Sequence, residues 1–476
     1  MANLYPELRL IPLLRQLGSL CELNYATQKG ILAMTYRYDL FVIGAGPGGL
    51  SAAKKAASYG AKVAIAESAH VGGTCVNLGC IPKKLMVYAA DFAEFAHLAQ
   101  EYGWSQETPK FSWQQFKQIR DRELDRLRHV YQSKLKDKGV ELLQGTAVFV
   151  DEHTIRVNDQ KITADKILIA VGGKATKPNI SGIEHAVTSD EMFHLEKLPK
   201  RLAILGGGYI GVEFSSLMRG LGVEVFLMNR ECCILEGFDD TVRNTVRNEL
   251  VDRGIYSYCN TTAEKIERVG DNIQIQLTGD RSDLLTVDTL LCATGRIPNL
   301  EHLNLDTIGI EQDNKAIAVD EFSRTNLPHI YAVGDCTNRK QLTPVARAEG
   351  RAFAETVFGK SQMAIDYHLI PSGVCSRPEA ATVGMTESEA QEKFGDRIKC
   401  YQTEFTPLLR TLSQEKRQSL IKFVTHDDRI LGIHIVGDDA IEIIQGFALA
   451  MQKGLTKAEL DYAIAIHPSS AEELFS

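Results

Sequence analysis

The sequence contains no apolar run approaching the roughly 18–20 residues that a membrane-crossing helix needs. Cysteine is sparse, ten in 476 residues, far below the density of a secreted disulfide scaffold. Positive charge is the minority, 53 Lys plus Arg against 61 Asp plus Glu, and the net charge of −8 is interrupted by no long basic stretch. That balance argues against nucleic acid or an anionic membrane surface as the main partner. Nor is the chain poor in core-forming residues: 44% hydrophobic and 24% charged is the balance of a folded protein, not a disordered one. Its length allows about three domains of ordinary size. The expectation is therefore a soluble, cytoplasmic, multidomain enzyme.

Residues 1–33 are expected to form a flexible, dispensable extension, with Met34 as the natural start. The amphipathic piece Leu8–Leu20 is broken by Pro12 and Gly18 and has no continuous apolar segment like that of a signal peptide. Glu7 and Glu22 are equally unlike a transit peptide.

Function is written most clearly just after that. The apolar run Asp39–Ile43 leads into Gly44-Ala-Gly46-Pro-Gly-Gly49, a helix-spaced stretch from Leu50, and a second apolar run ending in Glu67. In such a unit Gly44 makes the tight turn, Gly46 lets backbone approach a pyrophosphate, and Gly49 lets the helix pack on the strand. The helix N-terminus offers unpaired N–H groups to the phosphates, and Glu67 is placed for a ribose hydroxyl.

The pattern recurs about 160 residues later. Leu202–Leu205 runs into Gly206-Gly-Gly208-Tyr209-Ile210-Gly211, followed by a helix and a strand ending at Met228. Two such units imply two dinucleotides. After the second strand stands Asn229, where an acid selecting NAD is expected, and then Arg230, which suits a 2′-phosphate and favours NADPH. Glu236 in the same loop counts against that phosphate, so NADH stays open. Ile167–Gly173 and Leu290–Arg296, each a strand breaking at glycine (Gly295 in the second), mark matched exits from the two units. Ile330–Asp335 is a further strand, ending in Gly-Asp, whose acid suits a sugar-phosphate hydroxyl or a plain turn.

Soon after the first unit come Thr74-Cys75-Val-Asn-Leu-Gly79-Cys80-Ile-Pro82-Lys83. This cysteine spacing does not fit the short-spaced zinc pairs. On a regular helix the two side chains would point about 140° apart, so pairing them needs an irregular turn, which Gly79 and Pro82 make available. The readings are a redox disulfide beside a cofactor or two structural thiols. Cys292, Cys336 and Cys375 resemble small core residues, and the neighbours Cys232 and Cys233 are able to oxidise but look incidental. Near the other end, His467-Pro468 with Glu472 five residues on suits an imidazole oriented by a carboxylate, as thiol acid–base chemistry requires.

Taken together, these segments resemble the pyridine nucleotide–disulfide oxidoreductases over residues 36–476, most closely the branch acting on oxidised glutathione. The resemblance implies an α/β fold with two Rossmann-like dinucleotide-binding domains and a C-terminal α+β dimerisation domain. Its divisions would be 34–174 for FAD, 175–297 for NAD(P)H, 298–366 completing the FAD site and 367–476 for the dimer interface. It further implies FAD contacts at Gly44, Gly46, Gly49, Glu67, Thr74, Gly145, Ala147, Asp335 and Thr343. NADPH contacts would fall at Gly206, Gly208, Tyr209, Ile210, Gly211, Arg230 and Gly295. Cys75 would attack the substrate disulfide and Cys80 face the flavin, with Lys83 and Glu213 paired beside it. His467, oriented by Glu472, would come from the partner subunit of a homodimer. Ser51, Lys54, Tyr131, Lys134, Arg347 and Arg351 match the substrate wall, a basic set suited to anionic oxidised glutathione. Lys54 and Arg347 depart from the commoner residues there, which leaves a modified glutathione open. No metal is implied.

Overall fold

The computed structural model of the protein describes residues 36–105 and 110–475. The extension expected at 1–33 lies outside the described residues.

The chain opens with β1 (Tyr38–Ile43), buried at every position but Asp39, as in a parallel strand covered on both faces. α1 (Pro47–Ser58) follows with Pro47 in its first turn, where a missing N–H costs nothing. Next come β2 (Val63–Glu67), the five-residue α2 (Gly73–Asn77) and the long α3 (Cys80–Glu101). α4 (Trp113–Asp137) starts at Ser112, whose side chain accepts the Gln115 N–H, and leads to β3 (Glu141–Gln144). β4 (Ala147–Asp151), β5 (Thr154–Val157) and β6 (Gln160–Ile169) form an antiparallel ribbon, and the far end of β6 joins the parallel sheet. The strand order is β3-β2-β1-β6-β5-β4.

β7 (Gly173–Ala175) and α5 (Ser189–Met192) lead into a second unit. Here β8 (Arg201–Leu205), α6 (Tyr209–Gly220), β9 (Glu224–Met228), α7 (Asp240–Asp252) and β10 (Tyr256–Tyr258) repeat the βαβ winding. β11 (Thr261–Val269), β12 (Asn272–Gly279) and β13 (Leu284–Val287) form an antiparallel meander, before β14 (Thr289–Cys292) completes the parallel order β10-β9-β8-β14. Ile266, Ile275 and Leu277 of the meander pack on Leu205, Phe226 and Leu290 of the sheet.

β15 (Arg296–Pro298) pairs antiparallel with β7, Arg296 opposite Ala175. The two exits expected from the sequence are thus one ribbon. After α8 (Leu305–Ile308), β16 (Gln312–Asp313) and β17 (Ala316–Ile317), β18 (Ile330–Ala332) adds in parallel beside β6. The chain has returned to its first sheet. α9 (Thr343–Phe358) then lies against α1 so closely that a Cβ on Gly350 would stand 2.3 Å from the Gly48 carbonyl oxygen. The C-terminal unit is an antiparallel sheet of β19 (Ser372–Val374), β20 (Ala380–Gly384), β21 (Ile398–Phe405), β22 (Ser419–His426) and β23 (Arg429–Val436), ordered β19-β20-β23-β22-β21. α10 (Glu387–Phe394), α11 (Ala440–Gln452) and α12 (Lys457–Tyr462) accompany it. α11 buries Ala440, Ile444, Ala448 and Met451, the spacing of one helix face.

Charge locks the units together. Glu94 on α3 lies 2.8 Å from Arg253, just beyond α7, and 2.7 Å from Arg410 in the C-terminal unit. Buried Lys422 of β22 reaches Asp239, before α7, at 2.7 Å. Among the described residues no helix is long and apolar enough to cross a membrane.

Candidate active site

Both glycine turns have the form their sequences require. Gly44 and Gly206 hold φ of 103° and 110°, which other residues rarely adopt. A Cβ on Gly49 would stand 2.0 Å from the Gly44 carbonyl oxygen, and one on Gly211 1.9 Å from that of Gly206. Each third glycine is therefore a packing requirement.

From the first turn a cleft of about 1070 Å³ runs through the molecule. Gly44, Gly46, Glu67, Thr74, Gly145, Ala147, Asp335 and Thr343 line it, and so do Cys75, Cys80, Lys83, Tyr209, Ile210 and Glu213. Gly46 leaves its floor open, with nothing nearer a built Cβ than the Gly73 Cα at 3.9 Å. Glu67 is fixed by the N–H groups of Ala45 at 2.9 Å and Ala69 at 2.8 Å. Burial raises the Asp335 carboxyl above its usual range, Arg296 pulls it part of the way back, and Glu349 adds to the rise. An open glycine floor at a helix N-terminus, two carboxylates for hydroxyl groups and a long cleft fit FAD.

The cysteines sit on the irregular turn that their spacing demands. Cys75 lies in α2, the helix stops at Leu78, and Cys80 begins α3. A Cβ on Gly79 would crowd the Thr74 carbonyl oxygen at 3.0 Å, so a larger residue would push the two helices apart. Both cysteines are free thiols, hydrogen-bonded to one another. The Cys80 thiol is lowered to about 6: the bond from Cys75 outweighs burial, and Thr343 and Lys83 assist. Its place at a helix N-terminus acts in the same direction. The Cys75 thiol is pushed up, first by that same hydrogen bond and then by burial.

Lys83 Nζ lies 2.5 Å from Glu213 Oε1, which also accepts the Cys375 N–H at 2.8 Å. Cys375 is thus only half-buried and lines the cleft, unlike the core residue expected, whereas Cys292 and Cys336 are buried as expected. Cys232 differs too. Its partner is Cys259, bonded across a turn, and Cys233 is a free, exposed neighbour.

Ser51, Lys54, Tyr131, Lys134 and Arg347 meet where α1, α4 and α9 adjoin. Ser51 Oγ donates to the Arg347 carbonyl oxygen at 2.9 Å, and the Lys54 and Lys134 ammonium groups each lie 5.9 Å from the Tyr131 ring centre. Burial, Lys134 and Arg347 together lower the Lys54 pKa. Arg351 is exposed one turn further along α9. In the second unit Gly208 caps α6 with open space where a Cβ would be, Gly295 adopts φ of 140°, and Arg230 and Glu236 are both exposed beyond β9.

His467 stands apart. Its Nδ1 is 2.8 Å from Glu472 Oε2, and that bond lowers the Glu472 carboxyl. Yet its side chain is 80% exposed and lines no part of the cleft holding the cysteines. Ile464 and Ile466 beside it are almost wholly exposed. Two further residues escaped the sequence reading. Arg296, directly after Gly295, lines the cleft and donates to the Gly173 carbonyl oxygen at 2.6 Å. Buried Glu349 accepts the Gly334 N–H at 2.6 Å and the Tyr367 hydroxyl at 2.6 Å, fixing the backbone next to Asp335. Arg296 had a signal, its place at the strand exit. Glu349 had none, being one charge on an ordinary helix.

The pyridine nucleotide-disulphide oxidoreductase model matches residues 38–350, and the dimerisation domain of the same family matches 370–475. The chain belongs to the pyridine nucleotide-disulphide oxidoreductases. It is 46% identical over 454 residues to a glutathione reductase of Nostoc sp., covering 92% of this chain and 99% of that one. It is 42% identical over 441 residues to a glutathione reductase of Burkholderia cepacia, covering 92% and 98%. A chloroplastic/mitochondrial glutathione reductase of Pisum sativum is 39% identical over 455 residues, covering 93% and 82%.

Proposed function

We propose that this chain reduces oxidised glutathione to two glutathione molecules with NADPH, through FAD and a Cys75–Cys80 disulfide. One observation carries the reading: a single cleft joins the glycine turn and Glu67 to Cys80 and the Lys83–Glu213 pair. The names of the relatives supply the substrate.

In this reading residues 34–174 and 298–366 hold FAD, 175–297 bind the coenzyme, and 367–476 make the dimer. The cleft lined by Gly44, Gly46, Glu67 and Asp335 would hold FAD, which would supply two-electron transfer between the coenzyme and the disulfide. Tyr209, 43% exposed at the cleft, covers the nicotinamide place until the coenzyme displaces it. Cys75, with its raised pKa, gives its proton to the partner subunit's His467 and attacks one sulfur of oxidised glutathione. The first glutathione leaves with that proton. Cys80, already a thiolate at neutral pH, then attacks Cys75, releases the second glutathione and closes the disulfide. Lys83 faces the Cys80 charge, and Glu213 keeps Lys83 protonated. The exposure of the His467–Glu472 pair and of Ile464 and Ile466 supports their placement against a second copy. The basic cluster around Tyr131 receives the substrate carboxylates. Beyond the Cys75–Cys80 pair, five cysteines among the described residues are free thiols against one disulfide, Cys232–Cys259, a balance that suits a reducing, cytoplasmic setting.

Arg230 supports NADPH, while exposed Glu236 in the same loop keeps an NADH-using disulfide reductase as the second reading. Steady-state oxidation of each coenzyme, with and without oxidised glutathione, decides. The expected result is turnover with NADPH only when the disulfide is present, abolished in Cys75→Ser with flavin retained. Full activity in that variant, or equal rates with NADH, would refute the corresponding part.

A further inference from the structure

The coenzyme loop carries sulfur chemistry that the reaction above does not use. Cys232, in the loop between β9 and α7, is bonded to Cys259, in the turn between β10 and β11. Both residues are half-exposed, and free Cys233 beside them is exposed. A cation attends the pair: Arg247 Nη1 lies 3.3 Å from the Cys232 sulfur and 3.1 Å from the Cys232 carbonyl oxygen. A guanidinium at that distance stabilises a thiolate on Cys232, making it the better leaving group of the two sulfurs.

The bond also braces the loop that carries Arg230. At the root of this loop the Asn229 N–H donates to the Tyr258 carbonyl oxygen at 3.0 Å, and the Thr261 N–H to that of Asn229 at 2.9 Å. Three residues on, the disulfide ties the same two segments again. From Asn229, and from Leu235 three residues past the disulfide, the loop grips the glycine turn. Gly207 N–H donates to Asn229 Oδ1 at 3.3 Å, the Leu235 N–H donates to the Gly207 carbonyl oxygen at 2.8 Å, and Asn229 Nδ2 donates to the Cys233 carbonyl oxygen at 2.5 Å. The shape of the turn that takes a coenzyme pyrophosphate thus depends on a segment stapled by a half-exposed disulfide.

We propose that Cys232–Cys259 is a second thiol–disulfide exchange site, open to small thiols of the glutathione class, which sets how firmly the coenzyme loop is held. The inference rests on the coenzyme reading of the second unit. A glutathione thiolate attacks the Cys259 sulfur, the bond to Cys232 breaks, and Cys232 leaves as a thiolate beside Arg247. A second glutathione attacks the resulting mixed disulfide and departs as oxidised glutathione, leaving two protein thiols; the two electrons come from two glutathione molecules. Oxidised glutathione drives the same steps in reverse. The loop is then firm when oxidised glutathione abounds and looser when it is scarce, so the enzyme's substrate tightens its hold on coenzyme.

The test equilibrates the FAD-loaded enzyme in buffers of fixed reduced-to-oxidised glutathione ratio. Alkylation and mass spectrometry then read Cys232, Cys233 and Cys259 without any turnover. Calorimetry with NADP⁺, which leaves thiols untouched, reads the coenzyme site. The expected result is a bond that opens and closes with the ratio, and NADP⁺ affinity about fivefold weaker in the open form, at the lower end of ordinary coupling between sites. Cys259→Ser should bind as the open form in every buffer, and Cys233→Ser should follow the wild type. A bond indifferent to the glutathione ratio, or one affinity for open and closed wild type, would overturn the proposal. Should Cys259→Ser fail to fold, the two wild-type forms decide alone. Binding of NAD⁺ in place of NADP⁺ would refute the coenzyme assignment, whereas the same redox dependence read with NAD⁺ would still support the exchange site.

Discussion

Lys83 and Glu213 form a salt bridge of 2.5 Å that joins α3 of the first unit to α6 of the second. Burial alone would lower the Lys83 pKa, but Glu213 leads a set of negative partners that hold it above the ordinary lysine value. Glu213→Gln leaves a nearly buried ammonium without its counter-charge. The expected loss is about 3 kcal/mol of unfolding free energy, the lower end for a broken buried pair. Urea unfolding followed by flavin fluorescence measures it; no loss would mean that the pair is dispensable.

Cys80 sets a pH dependence. Its folded pKa of about 6 lies below the free value of 9.0, so the stabilisation of its thiolate is complete above pH 9 and is lost as pH falls towards 6. In the reduced enzyme, iodoacetamide labelling of Cys80 should hold steady down to neutral pH and fall by half near pH 6. Lys83→Met should move that midpoint upward by about one unit, the effect of removing one nearby cation. A midpoint near 9 in the wild type would contradict the assignment.

His467→Gln should separate chemistry from stability. Within its own subunit the side chain is 80% exposed, and Gln can still hydrogen-bond at the dimer seam, so the melting temperature should fall by no more than about 4 °C. Turnover should fall about 10²–10⁴-fold, the range for a lost acid–base group. Stopped-flow reduction by NADPH alone should be unchanged. Equal slowing of that half-reaction would place the histidine elsewhere in the cycle.

Glu94 is the electrostatic joint of three units. Burial opposes its charge, but Arg253, Arg410 and Arg417 lower the carboxyl to about 2. Its stabilisation is therefore full above pH 4.5 and lost as pH falls towards 2. Unfolding of wild type and of Glu94→Gln should differ by about 3 kcal/mol at neutral pH, with the gap closing on acidification across that window. A gap independent of pH would assign the effect to packing.

Lys54→Glu reverses a charge among Lys134 and Arg347. The KM for oxidised glutathione should rise about tenfold or more at low salt and less at high salt, while the KM for NADPH stays put. A change in the coenzyme KM instead would remove Lys54 from the substrate wall.

The sequence was most legible where chain order and chemistry coincide. Gly44 to Glu67 and Cys75 to Lys83 are each local, so spacing fixes the turn and the helix start, and Gly79 and Pro82 mark where an irregular turn lets the sulfurs approach. Long-range partners were harder. Nothing near Glu349 announces the Gly334 N–H that it accepts, and nothing near Cys232 points 27 residues ahead to Cys259. Cys375 looked like core because its neighbours are apolar, yet its strand end turns it into the cleft. Local pattern says what a segment becomes, while its neighbours are settled by the packing of distant segments.

The ribbon of β7 and β15 has an evolutionary consequence. Ala175 and Arg296 lie opposite each other, so the 120 residues between them depart and return at a single doorway. Such a segment can be excised, exchanged or lengthened without breaking any strand pairing of the host sheet. What would have to be rematched is the surface that reaches across: the Lys83–Glu213 and Glu94–Arg253 pairs, and the shared apolar core in which Met86, Val87 and Trp113 of the first unit join Phe214, Leu217 and Val242 of the second. A graft that honours that core and those pairs inherits the host's flavin site and cysteines intact, so preference for one coenzyme or another is a property that can travel as a cassette.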